Sequence, residues 1–276
     1  MLLTSRQTAQ RLDEADVVHL SRQVEACKLI FPDHKSFTIP IGHGIASFTL
    51  PLFGRKLNRI FGFGMGGPVS DEGLTQLEDA YSAMDNDTSI SLCPLAHESA
   101  LQVLSSRGYK ADSFVNNYAR EISDADLQCV PVPSVEVLRL PASRAYEFPA
   151  ISLAGFRDNG RPELLLHTLG RMAELREDTI LYFALVDGQI AGSAGMALIK
   201  TSTGGLAHMY IDSTLPEYRG RGIQTVLLRA RLVDARREGY DLASSGCNPG
   251  TGSARTYERE GFALSYTKVH FKKIRS

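Results

Sequence analysis

The chain has 276 residues, 43% of them hydrophobic, enough to bury the cores of two medium domains. A formal net charge of −1 implies no long-range attraction to nucleic acid or to an anionic membrane. No apolar run reaches spanning length and no signal-peptide pattern opens the chain, so a cytoplasmic protein is expected, its four scattered cysteines (Cys27, Cys93, Cys129, Cys247) reduced and unsuited to a metal site.

In the amino-terminal half, Ile45–Leu50, a turn at Phe53-Gly54 and Arg59–Met65 suggest a hairpin. Ser70 is placed to cap a helix whose apolar face is Leu74, Leu77, Tyr81 and Met84. Ser89–Cys93 reads as a strand, Glu98–Ser105 as a helix closed by Gly108-Tyr109, and Ala111–Ala119 as extended. Between hairpin and first helix lies Gly66-Gly67-Pro68-Val69-Ser70-Asp71-Glu72, which holds no arginine and two carboxylates. The alternate prolines of Cys-Val-Pro-Val-Pro-Ser, 129–134, favour an extended connector, so domains 1–131 and 132–276 are expected.

The second half begins with an extended Val135–Leu140 and helical stretches at Ala142–Phe156 and Pro162–Arg176. Ile180–Val186 and Ile190–Ile199 flank the tight-turn pair Asp187-Gly188, and Gly204–Asp212 forms the next strand. A helix from Ile223 carries Ile223, Val226, Leu227, Ala230 and Val233 on one face. Arg229, Arg231, Arg236, Arg237 and Glu238 are expected on its remaining surface, and Gly239 ends it. Tyr240–Ser244 reads as a strand, 246–252 as turns, Ser253–Glu260 as a helix ending at Gly261, and Phe262–Phe271 as extended. The order of elements in the first half echoes Ala207–Phe271, Gly108-Tyr109 standing where Gly261-Phe262 stands, so an internal duplication is expected.

The most informative stretch is Arg219-Gly220-Arg221-Gly222-Ile223-Gln224. A glycine turn at a helix start leaves backbone N–H groups unpaired, the helix dipole adds positive partial charge, and two guanidinium forks suit phosphate. A short basic loop would read the same way, and a Walker-type loop is absent because no Gly-Lys-Ser/Thr follows.

This stretch resembles the Gln/Arg-x-x-Gly-x-Gly/Ala signature of the GNAT superfamily of N-acyltransferases, with Gln224 in place of the final small residue. Thr256-Tyr257-Glu258-Arg259-Glu260-Gly261-Phe262 is similar to that family's helix preceding Gly-Phe. The resemblance implies an α/β (α+β) mixed-sheet fold in a tandem arrangement. Each domain would be a twisted, mostly antiparallel sheet flanked by helices, the first degenerate and without a CoA loop, the second complete. It implies acetyl-CoA or another acyl-CoA as co-substrate, no metal, and transfer to a primary amine of a small molecule or peptide. Oligomeric state stays open.

Carried over by resemblance, Arg219, Gly220, Arg221, Gly222, Ile223, Gln224 and Thr225 would hold the pyrophosphate. Ser213 and Thr214 would lie where a backbone N–H polarises the thioester carbonyl, and Asn248 and Ser253 near the cofactor-contacting turn and helix. Tyr257 would donate its proton to the departing sulfur; a half-buried helix aromatic with no role in the chemistry is the plain alternative. By alternation His208, Tyr210 and Asp212 share one strand face, making His208 and Asp212 candidate bases, with ordered water the other possibility. A non-catalytic acyl-CoA-binding sensor or scaffold is the rival function.

Overall fold

The structure, a computed structural model, describes residues 4–128, 134–157 and 160–274. Its chain divides into two compact units that interleave along the sequence. One comprises Ala119–Ser245 and Arg255–Ala263; the other comprises Leu2–Tyr118, Gly246–Ala254 and Leu264–Ser276. The last strand therefore packs with the amino-terminal half, and the connector at 129–133, where the sequence places the domain boundary, lies outside the described residues.

The amino-terminal unit opens with α1 (Arg6–Ile30), whose Ser5 hydroxyl accepts from the Thr8 N–H at 3.1 Å as an N-cap. It packs on β1 (Phe37–Ile41), β2 (Gly44–Phe48) and β3 (Ile60–Phe61). Neither α1 nor β1 is called by the sequence pattern. The inward side of α1 carries Arg11, Asp13, His19 and Gln23 among its apolar residues, which masks its helical period. The segment expected to be a strand at Arg59–Met65 pairs only at Ile60 and Phe61, because Gly62 and Gly64 take positive φ immediately after.

Then follow α2 (Asp71–Ala83), β4 (Thr88–Leu92), α3 (Ser99–Ser106) and β5 (Lys110–Glu121). Ser70 occupies the N-cap of α2 without a side-chain hydrogen bond. With β11 (Ala263–Lys273), the strands of this unit order as β1-β2-β3-β4-β11-β5. Phe48, Ile60, Leu74, Tyr81, Ile90 and Leu104 form its core.

The second unit runs β6 (Glu136–Arg139), a 3₁₀ turn (Ala142–Glu147), α4 (Phe148–Phe156) and α5 (Glu163–Leu175). β7 (Thr179–Val186) and β8 (Gln189–Thr201) form a hairpin through Asp187 and Gly188, whose φ of 49° and 75° are those of a type I′ turn. β9 (Gly204–Thr214), α6 (Ile223–Arg237), β10 (Leu242–Cys247) and α7 (Gly252–Arg259) complete the order. Its strands order as β10-β9-β8-β7-β6, antiparallel except for the β9–β10 pair. Phe148, Ala173, Leu181 and Phe183 form a cluster beneath α4 and α5, while α6 packs against β7, β8 and β9.

The expected duplication has a counterpart in topology. β2–β3 is antiparallel and β3–β4 parallel in one unit, as β8–β9 is antiparallel and β9–β10 parallel in the other. Both terminal helices close on a left-handed glycine, Gly108 and Gly261. The bonds that follow match: Tyr109 N–H donates to Leu104 O and Phe262 N–H to Tyr257 O, each at 3.0 Å. By this register Leu104 stands in the first half where Tyr257 stands in the second. Among the described residues, no helix is long and apolar enough to cross a membrane.

Candidate active site

The turn into α6 is open. Gly220 and Gly222 take φ of 78° and 76°, a region costly for other residues, and no atom lies within 4 Å of where a Cβ would stand on either. Residues Arg219 to Gly222 are exposed. As N-cap, Gly222 supplies no side-chain acceptor, so the first N–H groups of α6 face outward without one. Ile223 turns inward and anchors the helix, and Thr225 is half-buried. Arg219 donates to Gly155 O at 3.2 Å, and Arg221 lies over the Tyr218 ring at 5.4 Å. Two guanidiniums thus flank an open helix start with no side-chain cap, an arrangement that fits a diphosphate. Gln224 joins this turn to the strand: its amide donates to Ser213 O at 2.6 Å and to Thr214 Oγ1 at 2.9 Å.

β9 carries a bulge just before that junction. Ser193 pairs with Ser213 and Gly195 with Tyr210, so Ala194 on β8 faces both Ile211 and Asp212. Ile211 sits at φ 55°, strained for a β-branched residue by about 1–3 kcal/mol. The extra residue overturns the alternation read from sequence. Tyr210 stays on the α4/α5 side with the Phe148–Phe183 cluster, its hydroxyl 2.8 Å from Thr179 Oγ1. Asp212 turns to the α6 side instead. β9 and β10 pair at Ala207–Ala243 and His208–Ser244, and Ser245 Oγ then donates to Met209 O at 3.0 Å.

On the α6 side three groups meet. Asp212 accepts from Arg231 at 2.6 and 3.1 Å and from the Tyr257 hydroxyl at 2.8 Å. Arg231, expected on the helix surface, is fully buried and also donates to Gly195 O at 2.9 Å and Leu227 O at 3.2 Å. The helix buries Ile223, Leu227, Arg231 and Ala235 at fourfold spacing, with Leu228 and Leu232 beside them, a face rotated from the predicted one. Burial disfavours the Arg231 charge, and Asp212 together with the neighbouring Tyr257 and Tyr182 more than restores it. Tyr257 is 4% exposed, with its ring against Phe262, and burial followed by the Asp212 charge holds its hydroxyl well above the ordinary tyrosine value.

The remaining candidates are placed as follows. His208 is half-buried, Nδ1 3.0 Å from Ser244 Oγ, with its ring stacked on Tyr210. Ser213 is buried, Oγ 2.9 Å from Ser193 Oγ. Asn248 and Ser253 are exposed and belong to the other compact unit. In the corresponding glycine segment of the first half, a Cβ on Gly66 would stand 2.3 Å from the His43 ring, whereas nothing lies within 4 Å of one on Gly67. Asp71 and Glu72 occupy the first turn of α2, Asp71 accepting from Arg107 at 2.8 Å.

A family model described as the acetyltransferase (GNAT) family matches residues 147–262, the span that holds the bulge, the open turn and Tyr257. Residues 147–262 are thus similar to a GNAT domain. The fold of the chain is similar to that of a GCN5-related N-acetyltransferase from Kribbella flavida, at 19% identity and TM-score 0.70 over 97% of this chain and 96% of that one. It is also similar to a functionally unknown conserved protein from Staphylococcus epidermidis (14%, TM-score 0.59, 90% and 97% covered). A third similar structure is a tandem GNAT protein from the clavulanic acid biosynthesis pathway (14%, TM-score 0.54, 76% and 70% covered). No curated protein matches the chain in sequence.

Within residues 147–262, Arg231 and Gln224 are the residues whose roles the sequence conceals. Arg231 reads as a surface charge until the bulge brings Asp212 to it. Gln224 reads as a departure from the motif until its amide is seen on the end of β9.

Proposed function

We propose that the GNAT domain transfers an acyl group, acetyl in the simplest case, from acyl-CoA to a primary amine of a small molecule or peptide, by direct attack in a ternary complex. The observation that carries this reading is the open, arginine-flanked amino terminus of α6 beside a bulged strand end. Arg219, Arg221 and the N–H groups from Gly220 to Thr225 would hold the pyrophosphate. A backbone N–H from Asp212–Thr214 would polarise the thioester carbonyl, a donor worth on the order of 3 kcal/mol in the transition state.

Tyr257 would protonate the leaving sulfur, contributing roughly a hundredfold to ten-thousandfold in rate. Asp212 is committed to Arg231 and Tyr257, and His208 Nδ1 to Ser244. Ordered water is proposed as the acceptor for the amine's proton, with His208 Nε2 as the alternative. The first half would be silent toward CoA: its glycine segment has no arginine and Gly66 lies against His43, the first turn of α2 is acidic, and Leu104 replaces the acidic hydroxyl.

Thiol release from acetyl-CoA, followed over a panel of primary amines, tests this. Amine-dependent release that falls at least about a hundredfold in Tyr257→Phe is expected. Acetyl-CoA binding with no release over the panel would make the domain a sensor, and unchanged turnover in Tyr257→Phe would remove the acid.

A further inference from the structure

We propose that Arg231 and Asp212 are positioning residues for acyl transfer: their buried ion pair secures the bulge of β9 and holds the Tyr257 hydroxyl protonated and oriented until the leaving sulfur takes its proton. The chemistry of this role rests on the acyl-transfer reading above.

The bulge sets the geometry. A regular strand would send Asp212 to the side of Tyr210, away from α6. The extra residue at Ile211, held at φ 55°, presents the carboxylate to α6. There the guanidinium meets both its oxygens and also binds Gly195 O, directly across the bulge. One cation therefore ties the two strands on either side of the strained residue. The oxygen of Asp212 at 3.1 Å from Arg231 is also the one that receives the Tyr257 hydroxyl.

The groups around that hydroxyl come from every neighbouring element: Asp212 from β9, Arg231 from α6, Ser245 from β10, and the Phe262 ring. Tyr182 of β7 donates elsewhere, to Asp234 at 2.8 Å, and Glu260 beyond α7 is taken by Arg229 at 2.7 Å. Asp212 and Arg231 are thus opposing charges that act on Tyr257.

In the transfer, the amine nitrogen bonds to the carbonyl carbon and the carbon–sulfur bond breaks with its electron pair on sulfur. Sulfur takes the Tyr257 proton. The surplus proton on nitrogen passes to water, and the phenolate recovers one from water. Asp212 repels the transient phenolate more than Arg231 attracts it, so the phenolate is brief and the acid is restored before the next turnover.

The test is an NMR titration of the protein labelled with [13Cζ]tyrosine, the Tyr257 signal assigned by its loss in Tyr257→Phe. In the wild type the signal should stay that of a phenol past the ordinary tyrosine value of about 10. Asp212→Asn, which removes the negative charge and keeps the shape, should lower the proton affinity of Tyr257 by about tenfold or more. Ionisation of wild-type Tyr257 near the ordinary value overturns the proposal without Asp212→Asn having to fold. An unaltered titration in folded Asp212→Asn overturns it too, while leaving acyl transfer intact. Acyl transfer itself fails by a different readout, the absence of amine-dependent thiol release.

Discussion

Replacing Arg231 with methionine removes a cation that is completely buried and leaves its partner behind. Asp212, whose side chain is 19% exposed, would keep only the Tyr257 hydroxyl among the bonds described here, and Gly195 O would lose a donor. Removing one member of a buried pair costs about 3–5 kcal/mol, because the remaining charge is desolvated without compensation. Against a total stability of roughly 5–15 kcal/mol, that is a large share. The double replacement Arg231→Met with Asp212→Leu removes both charges. By the same principle it should return to within about 1–2 kcal/mol of the wild type. The assay is equilibrium urea unfolding followed by circular dichroism at low protein concentration, since the chain has no tryptophan to report by fluorescence. A loss below about 1 kcal/mol in Arg231→Met, or a double variant no more stable than the single, would refute the claim that the pair is a desolvated clamp.

Two further outcomes follow from the geometry. Burial, then the positive charges of Arg59, Arg55 and Lys268, lowers His270 to about 3, and its Nδ1 lies 2.8 Å from Ser91 Oγ. The unfolded chain takes up that proton near pH 6.5 and the folded chain does not. The His270 contribution to stability is therefore full above pH 6.5 and is lost as pH falls toward about 3, by roughly 2 kcal/mol at pH 5. The difference between the wild type and His270→Asn in urea midpoints at pH 7.5 and pH 5 isolates this contribution, and an identical pH dependence would contradict it. A Cβ on Gly155 would meet Ser213 Oγ at 2.3 Å and Thr214 N at 3.1 Å. Gly155→Val should then cost about 1–3 kcal/mol by overpacking and displace the strand end, seen as a lowered turnover at saturating acetyl-CoA; unchanged stability and turnover would show that the neighbours yield freely.

The sequence made legible what local chemistry specifies. Gly220, Gly222 and the arginines mark the open turn, Asp187-Gly188 marks a hairpin, and the Gly261-Phe262 closure is visible as letters. The echo of these elements in the first half is visible too, down to Gly108-Tyr109. What stayed hidden depends on partners distant in the chain. The bulge at Ile211 has no composition signal, and without it the alternation rule sends Asp212 to the wrong side. Arg231 then looks like one more charge on an arginine-rich helix. The length of α1 is masked for a related reason: its inward face spends helical positions on Asp13 and other polar groups, with Asp13 balanced by Lys268 at 2.5 Å, more than two hundred residues later. The joining of the last strand to the amino-terminal unit is likewise topological, and no residue pattern in Ala263–Lys273 announces it.

Calorimetric titration of acetyl-CoA into the wild type and into the double variant Arg219→Ala with Arg221→Ala tests most directly the proposal that this turn holds the pyrophosphate. Charge-assisted hydrogen bonds contribute about 1.5–3 kcal/mol each, so loss of two guanidiniums should weaken binding by roughly a hundredfold or more. The wild type should bind one acetyl-CoA per chain, through the second half alone, and the double variant should bind none at the same concentrations while keeping its thermal midpoint. Two equivalents per wild-type chain would show a second site and a first half that is not silent, and undiminished affinity in the folded double variant would place the cofactor away from the amino terminus of α6.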